Sequence, residues 1–217
     1  LSAQLSYDIT DWLNISGRVR VDNTHTKYEQ KLYASSNLTI TEESTQGHYT
    51  ISKPDETQTY ADVLANINKR FNDFSLVANV GASIVNNRYE DLSYRGPIRE
   101  KGIPNVFNVF DLDNTKKKAR QDEWQEQTQS VFASVEVGWK SMLYLTLTGR
   151  NDWASQLANS STPCFFYPSV GLSGVISEML TLPEFIDYMK VRGSFSSVGM
   201  PYPRNLTSPT YEYDEAN

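Results

Sequence analysis

Residues 143–177 read LYLTLTGRNDWASQLANSSTPCFFYPSVGLSGVIS. The pattern is that of two strands joined by one loop. In the first, Leu143, Leu145 and Leu147 share a face, while Tyr144, Thr146, Thr148, Arg150 and Asp152 share the other. In the second, Phe166, Val170, Leu172 and Ile176 alternate with Ser169, Gly171, Ser173 and Ser177. Successive side chains of a strand point to opposite faces, so a period of two marks a sheet with one apolar and one polar side. Aromatic residues gather at the loop side of both strands: Trp153 on one, Phe165, Phe166 and Tyr167 on the other. Amphipathic rings collect there in membrane barrels, where they sit at headgroup level, and a water-soluble sheet has no reason to place them so.

The same period recurs outward from this pair. Residues 1–9 and 13–22 alternate around a tight connection at Thr10, Asp11 and Trp12. Residues 60–71 and 74–85 flank Asn72 and Asp73, a two-residue polar link of the hairpin kind. Residues 124–139 lead through Lys140, Ser141 and Met142 into the opening pair, and residues 189–197 form the last run. A short helical turn is expected within residues 178–188, and loop from Met200 onward, with Pro201, Pro203 and Pro209. Eight strands result. Their links are short at Thr10, Asn72 and Lys140 but long over residues 23–59 and 90–123, both taken as polar loops. Short turns at one end and long loops at the other are the arrangement of outer-membrane barrels, with the long loops extracellular. The fold class expected is therefore all-β, with antiparallel transmembrane strands.

Composition bounds the function. The chain has 217 residues and a formal net charge of −6, which disfavours a nucleic-acid partner. Thirteen Tyr, nine Phe and four Trp make it rich in aromatics. Cys164 is the single cysteine, so no internal disulfide is possible. No apolar run is long enough for a transmembrane helix. A mean hydropathy of −0.51 agrees with a barrel as well as with a soluble protein, because alternate barrel residues are polar. Leu1 starts the chain without a signal peptide, and the closing TYEYDEAN reads like the middle of a loop, so the expectation is a piece of something larger.

Arg18, Arg20, Arg150, Asp152, Lys190 and Arg192 fall on the polar faces of the strands, where a barrel would turn them to its lumen. Such cations line a path or pair with carboxylates of a neighbouring strand or a plug, and the second is the commoner case. Tyr28, Tyr33, Tyr49 and Tyr94, in the long loops, are candidates for contact with a substrate or a lid protein; the plainer reading is that they shield the barrel mouth. His25 and His48 share one polar loop with several acids, a placement that chance explains. Asp111 and Asp113 lack the Gly and distal Glu of a calcium loop. Asn-X-Ser/Thr matches at Asn14, Asn37, Asn159 and Asn205 carry little weight. With no phosphate loop, nucleophile elbow or ligand cluster, neither an enzyme nor a cofactor is expected.

Residues 149–178, GRNDWASQLANSSTPCFFYPSVGLSGVISE, resemble the barrel of SusC/RagA-type TonB-linked outer-membrane transporters. Residues 189–199 and the segment YDITDWLNISGRVRVDN at 7–23 are similar to strands and hairpins of that family. The resemblance implies a 22-stranded barrel around an N-terminal plug, the plug lying outside this sequence. It also implies outer-membrane lipid around the wall, a SusD-like surface lipoprotein as lid, TonB engaging the plug, and a glycan or peptide as cargo. Two alternatives stay open: a small eight-stranded outer-membrane adhesin or structural barrel, and a soluble glycan-binding β-sandwich.

Overall fold

The structure is a computed structural model that describes residues 1–158, 160–180, 183 and 185–199. The loop expected from Met200, and the matches at Asn159 and Asn205, lie outside the described residues. Ten strands form: β1 (Ser2–Thr10), β2 (Leu13–His25), β3 (Tyr28–Tyr33), β4 (Gly47–Ser52), β5 (Asp55–Phe71), β6 (Phe74–Pro97), β7 (Lys118–Trp139), β8 (Leu143–Ala154), β9 (Cys164–Val175) and β10 (Lys190–Ser196). Among the described residues one α-helical turn forms, α1 (Ile176–Met179); it begins before the segment expected to hold it and takes Ile176 out of β9.

The chain divides into two compact units. The first comprises residues 1–21, 59–86 and the described residues from 126 onward. Its strands follow the order β1-β2-β5-β6-β7-β8-β9-β10, which leaves β1 and β10 at opposite ends of the sheet. A closed eight-stranded barrel, in which those two strands would pair, is not what this sheet forms. The turns are the tight ones read from sequence. Asn72 lies at φ 48° between β5 and β6. Lys140 and Ser141 lie at 50° and 59°, and the Met142 amide donates to the Trp139 carbonyl at 2.9 Å. Two left-handed central residues make this the primed turn whose twist matches antiparallel strands. The β7–β8 and β8–β9 ladders run without a slip from Trp139↔Leu143 to Thr128↔Ala154 and from Leu143↔Gly174 to Trp153↔Cys164.

Exposure on β8 and β9 runs opposite to that of a soluble sheet, while the end strands β1 and β10 are exposed on both faces. On β8, Leu143, Leu145 and Leu147 are exposed while Tyr144 and Thr146 between them are half-buried. On β9, Phe166, Val170 and Leu172 are exposed, whereas Tyr167, Ser169 and Gly171 are partly covered and Ser173 is buried. Among the described residues, only Ala78, Ala154, Leu157 and Val175 are buried apolar residues of the first unit. Cross-strand hydrogen bonds, and not a sealed apolar core, hold it.

The second unit comprises residues 22–58 and 87–125. Both stretches expected to be loop contain strand. β3 and β4 pair from Tyr28↔Ser52 to Tyr33↔Gly47, and β4 pairs β6 from His48↔Pro97 to Ser52↔Ser93. β2, β5, β6 and β7 also run further than the apolar alternation does. The physical reason is composition: these segments are polar on both faces, so they show no period although their backbones pair. A small core of Tyr49, Ile98 and Leu112 closes the unit, with an isolated Ile98↔Leu112 bridge.

Close packing at Gly81, in β6, generates the first prediction. A Cβ there would meet the Phe132 ring at 2.7 Å and the Val63 carbonyl at 2.8 Å, whereas one at Gly171 would meet nothing nearer than 3.7 Å. Gly81→Ala should cost about 1–3 kcal/mol of unfolding free energy. Gly171→Ala should stay within about 0.5 kcal/mol of the parent, both read by denaturant titration.

Candidate functional site

The polar face of the first unit carries most of the charged side chains singled out in the sequence. Arg18 on β2 donates to the Asp62 carboxylate from Nε at 2.9 Å and from Nη2 at 2.6 Å, and to the Tyr60 hydroxyl at 3.5 Å. The Asp62 side chain is only 9% exposed, so the pair is half sheltered from water. Arg20 lies two residues along the same face, opposite Ser2. Arg150 on β8 donates from Nε to Asp152 at 2.7 Å and from Nη2 to the Ser130 hydroxyl at 2.9 Å. Its guanidinium lies 5.8 Å from the centre of the Phe132 ring, which occupies the space that Gly81 leaves. The absence of one Cβ thus seats a ring, and the ring and Ser130 hold an arginine against the wall. Lys190 and Arg192 share the polar face of β10, opposite Val175 and Ser173.

The apolar face presents Leu145, Leu147, Val131, Val137, Val80, Leu172 and Val191, all exposed; Ala78 on the same face is covered. Aromatic residues bound it at both ends. Phe71, Phe74 and Trp139 stand beside the tight turns, and Trp153 and Phe166 at the far ends of β8 and β9. Gly149 opens the space in which the Phe166 ring lies, since a Cβ there would meet that ring at 3.3 Å. Lys69, the charged residue of this face on β5, lies at its edge, with Nζ 4.7 Å from the Trp12 ring and 5.2 Å from the Phe71 ring.

In the second unit the four tyrosines separate. Tyr28 is exposed, and Tyr33 is exposed with its ring edge-on to Phe107 at 5.2 Å. Tyr94 is half-buried, paired with Ile51. Tyr49 is 3% exposed and its hydroxyl donates to Glu29 at 2.6 Å, so its ring is spent on holding β4 to β3. The two histidines take different acids: His25 Nδ1 lies 2.7 Å from Asp55, and the buried His48 has Nε2 3.5 Å from Glu42. Asp111 binds Arg99 at 2.7 Å. No group of three metal-ligating side chains occurs among the described residues.

Asp62, Tyr60 and Ser130, the partners that fix Arg18 and Arg150, were missed in the sequence. Asp62 and Tyr60 share the polar parity of the weakest strand, and reading that parity as strictly as on β8 would have found them. Phe107 and Glu29 had no signal, because their partners are set by packing within polar segments.

No family model matches the chain, and no curated protein matches it. Solved structures do. A structure of the RagAB peptide transporter superposes over 90% of this chain with a TM-score of 0.70 at 14% identity. The RagAB peptide importer in its open-open state gives 0.71 at 15% identity, and in its closed-closed state 0.67 at 14%. This chain has their fold. It spans 22% of the length of the RagAB chains it matches, and its antiparallel sheet corresponds to that portion of them. The resemblance seen in the strand residues of the sequence is met at the level of fold.

The Tyr49–Glu29 hydrogen bond carries a pH signature. Burial and the neighbouring carboxylate push the Tyr49 hydroxyl up to about 12. The same hydrogen bond, with help from Lys27, holds Glu29 below its ordinary value of 4.5. A depressed acid stabilises above its unfolded value and loses that contribution as pH falls through the folded one. A raised phenol stabilises below its unfolded value, 10.0, and loses that contribution as pH rises toward about 12. The β3–β4 pair is therefore tightest between those limits. Burial pushes Tyr89 upward too, so absorbance titration should show more than one late tyrosinate, of which Tyr49→Phe removes one. The carboxylate of Glu29 should titrate closer to 4.5 in that variant.

Proposed function

We propose that this chain is part of the β-barrel domain of an outer-membrane, TonB-dependent importer, with residues 1–217 contributing wall strands and extracellular segments and the plug lying elsewhere. The observation that carries this reading is the sorting of the sheet's two faces: an aliphatic face left exposed on β8 and β9, charges on the other face apart from Lys69 at the rim, and aromatics at both ends. A contiguous exposed aliphatic face of this kind marks a contact surface and not an ordinary water-facing sheet. In a bilayer it is the expected outer surface.

Dimensions support the same reading. Leu143 to Trp153 spans ten residue steps of β8, about 34 Å along the strand at ~3.4 Å each. A tilt of about 40° brings this to about 26 Å of depth, against an apolar band of about 25 Å in outer-membrane barrels. Lys69 at the rim, leaning on Trp12 and Phe71, is a cation reaching toward the interface. Arg18, Arg20, Arg150, Asp152, Lys190 and Arg192 face the lumen in this reading. The open strands β1 and β10 are continued by wall strands outside this chain.

The cargo class is a peptide, in line with the peptide importers that share the fold, and a SusD-like lipoprotein covers the mouth. Tyr28 and Tyr33 are the exposed rings available for cargo or lid. Tyr94 is a lesser candidate, and Tyr49 serves the unit's own core. TonB acts through the plug. Transport explains the wall without any catalytic group.

Two tests follow from the geometry. The Thr26 amide donates to the Pro54 carbonyl at 3.0 Å, so residues 27–53 leave and return at one point. Excising them from the full-length protein should leave a heat-resistant barrel in the outer membrane while peptide uptake or lid co-purification falls; normal uptake and normal lid binding would remove the recognition role. Separately, Leu147→Arg should cost about 2–4 kcal/mol of folding into bilayers, and Thr148→Arg, one residue on, much less.

A further inference from the structure

We infer that Lys190 and Arg192 form a carboxylate-binding station on the polar face of the sheet, taking acidic side chains or the free C-terminus of a peptide; the identity of that ligand rests on the import reading above. The two cations line a cavity of about 550 Å³ whose other walls include Tyr144, Ser169, Ser173 and Ser194. Every one of those side chains offers a hydroxyl.

The contrast with the other cations of this face carries the argument. Arg18 holds Asp62 and Arg150 holds Asp152, both acids from the same wall. Among the described residues no carboxylate lies within 4.0 Å of Lys190 or Arg192. Glu136, the acid that lines the cavity, accepts instead from the Thr146 hydroxyl at 3.2 Å.

Direction matters as well. Among the described residues β10 is the last strand of the sheet, so a cation seeking a partner on a further strand would lean outward. Lys190 leans the other way, across β9, and places Nζ 5.3 Å from the centre of the Tyr144 ring on β8. Arg192 stands opposite Ser173, and Ser173 opposite Tyr144, so one line across three strands brings guanidinium, hydroxyl and phenol together. A guanidinium offers paired N–H donors to a carboxylate, an ammonium adds a point charge, and serine hydroxyls complete the shell.

The probes are a short peptide carrying several Glu and the same peptide with Gln, titrated calorimetrically into the purified full-length protein. The parent should bind the Glu peptide about tenfold more tightly at low salt, the preference shrinking as salt rises. Lys190→Gln combined with Arg192→Gln should abolish the preference by weakening the Glu peptide alone. Lys190→Gln by itself, which keeps the guanidinium, should reduce it and serves where the double variant does not assemble. Equal binding of the two peptides by the parent overturns the inference. So does a variant that loses thermal stability while the Glu/Gln ratio stays fixed, since that assigns the cations to a structural ion pair. Absence of peptide uptake with the binding preference intact contradicts the import reading and leaves the carboxylate station standing.

Discussion

Everything in this chain depends on the pleat of the strand. A strand puts alternate residues on opposite faces, and backbone pairing locks which residue falls where. With few buried apolar side chains in the first unit, the ladders are the scaffold, and a slip of one residue on β8 would carry Arg150 and Asp152 to the leucine face. The register is held at both ends of that strand by the primed turn at Lys140 and Ser141 and by the Trp153↔Cys164 pair. Faces sorted this strictly give two surfaces of opposite solvent preference from one layer.

The charged face is ordered by local bonds that each need a specific neighbour. Phe132 occupies the space left by Gly81, and Arg150 rests on Phe132 and Ser130 while reaching Asp152. Arg18 reaches across to Asp62 on the neighbouring strand of the sheet. Asp62 and Asp152 are the sheltered members of these pairs while the guanidiniums stay about half exposed, so each pair is worth more than a fully exposed one and less than a buried one. The second unit works by different rules: polar strands enclose a small core at Tyr49, Ile98 and Leu112, and the half-buried phenol–carboxylate bond ties β3 to β4.

How much of this was legible in the sequence divides along the same line. All eight strands of the main sheet, their tight turns and the parity of Arg18, Arg150 and Arg192 were readable, because burial on one face writes a period of two. β3, β4, the far half of β6 and the polar ends of β2, β5 and β7 were not, because segments polar on both sides pair through backbone groups that composition does not reveal. Tyr49 shows the limit at a single residue: an aromatic in a polar tract reads as a surface ring, and only the pairing of β4 with β3 and β6 encloses it. Ile176 shows another, where continued alternation hid the onset of a helical turn.

The central claim is that the leucine face of β8 meets lipid and the arginine face meets water. Single nitroxide labels placed in turn along Leu143–Ala154, in the full-length protein reconstituted in bilayers, read this directly through collision with oxygen and with a nickel chelate. The account predicts oxygen accessibility peaking at Leu143, Leu145 and Leu147 and nickel accessibility peaking at Tyr144, Thr146 and Thr148, out of phase along the strand. Nickel reaching the leucine positions as readily as the threonines, or no alternation at all, would contradict it.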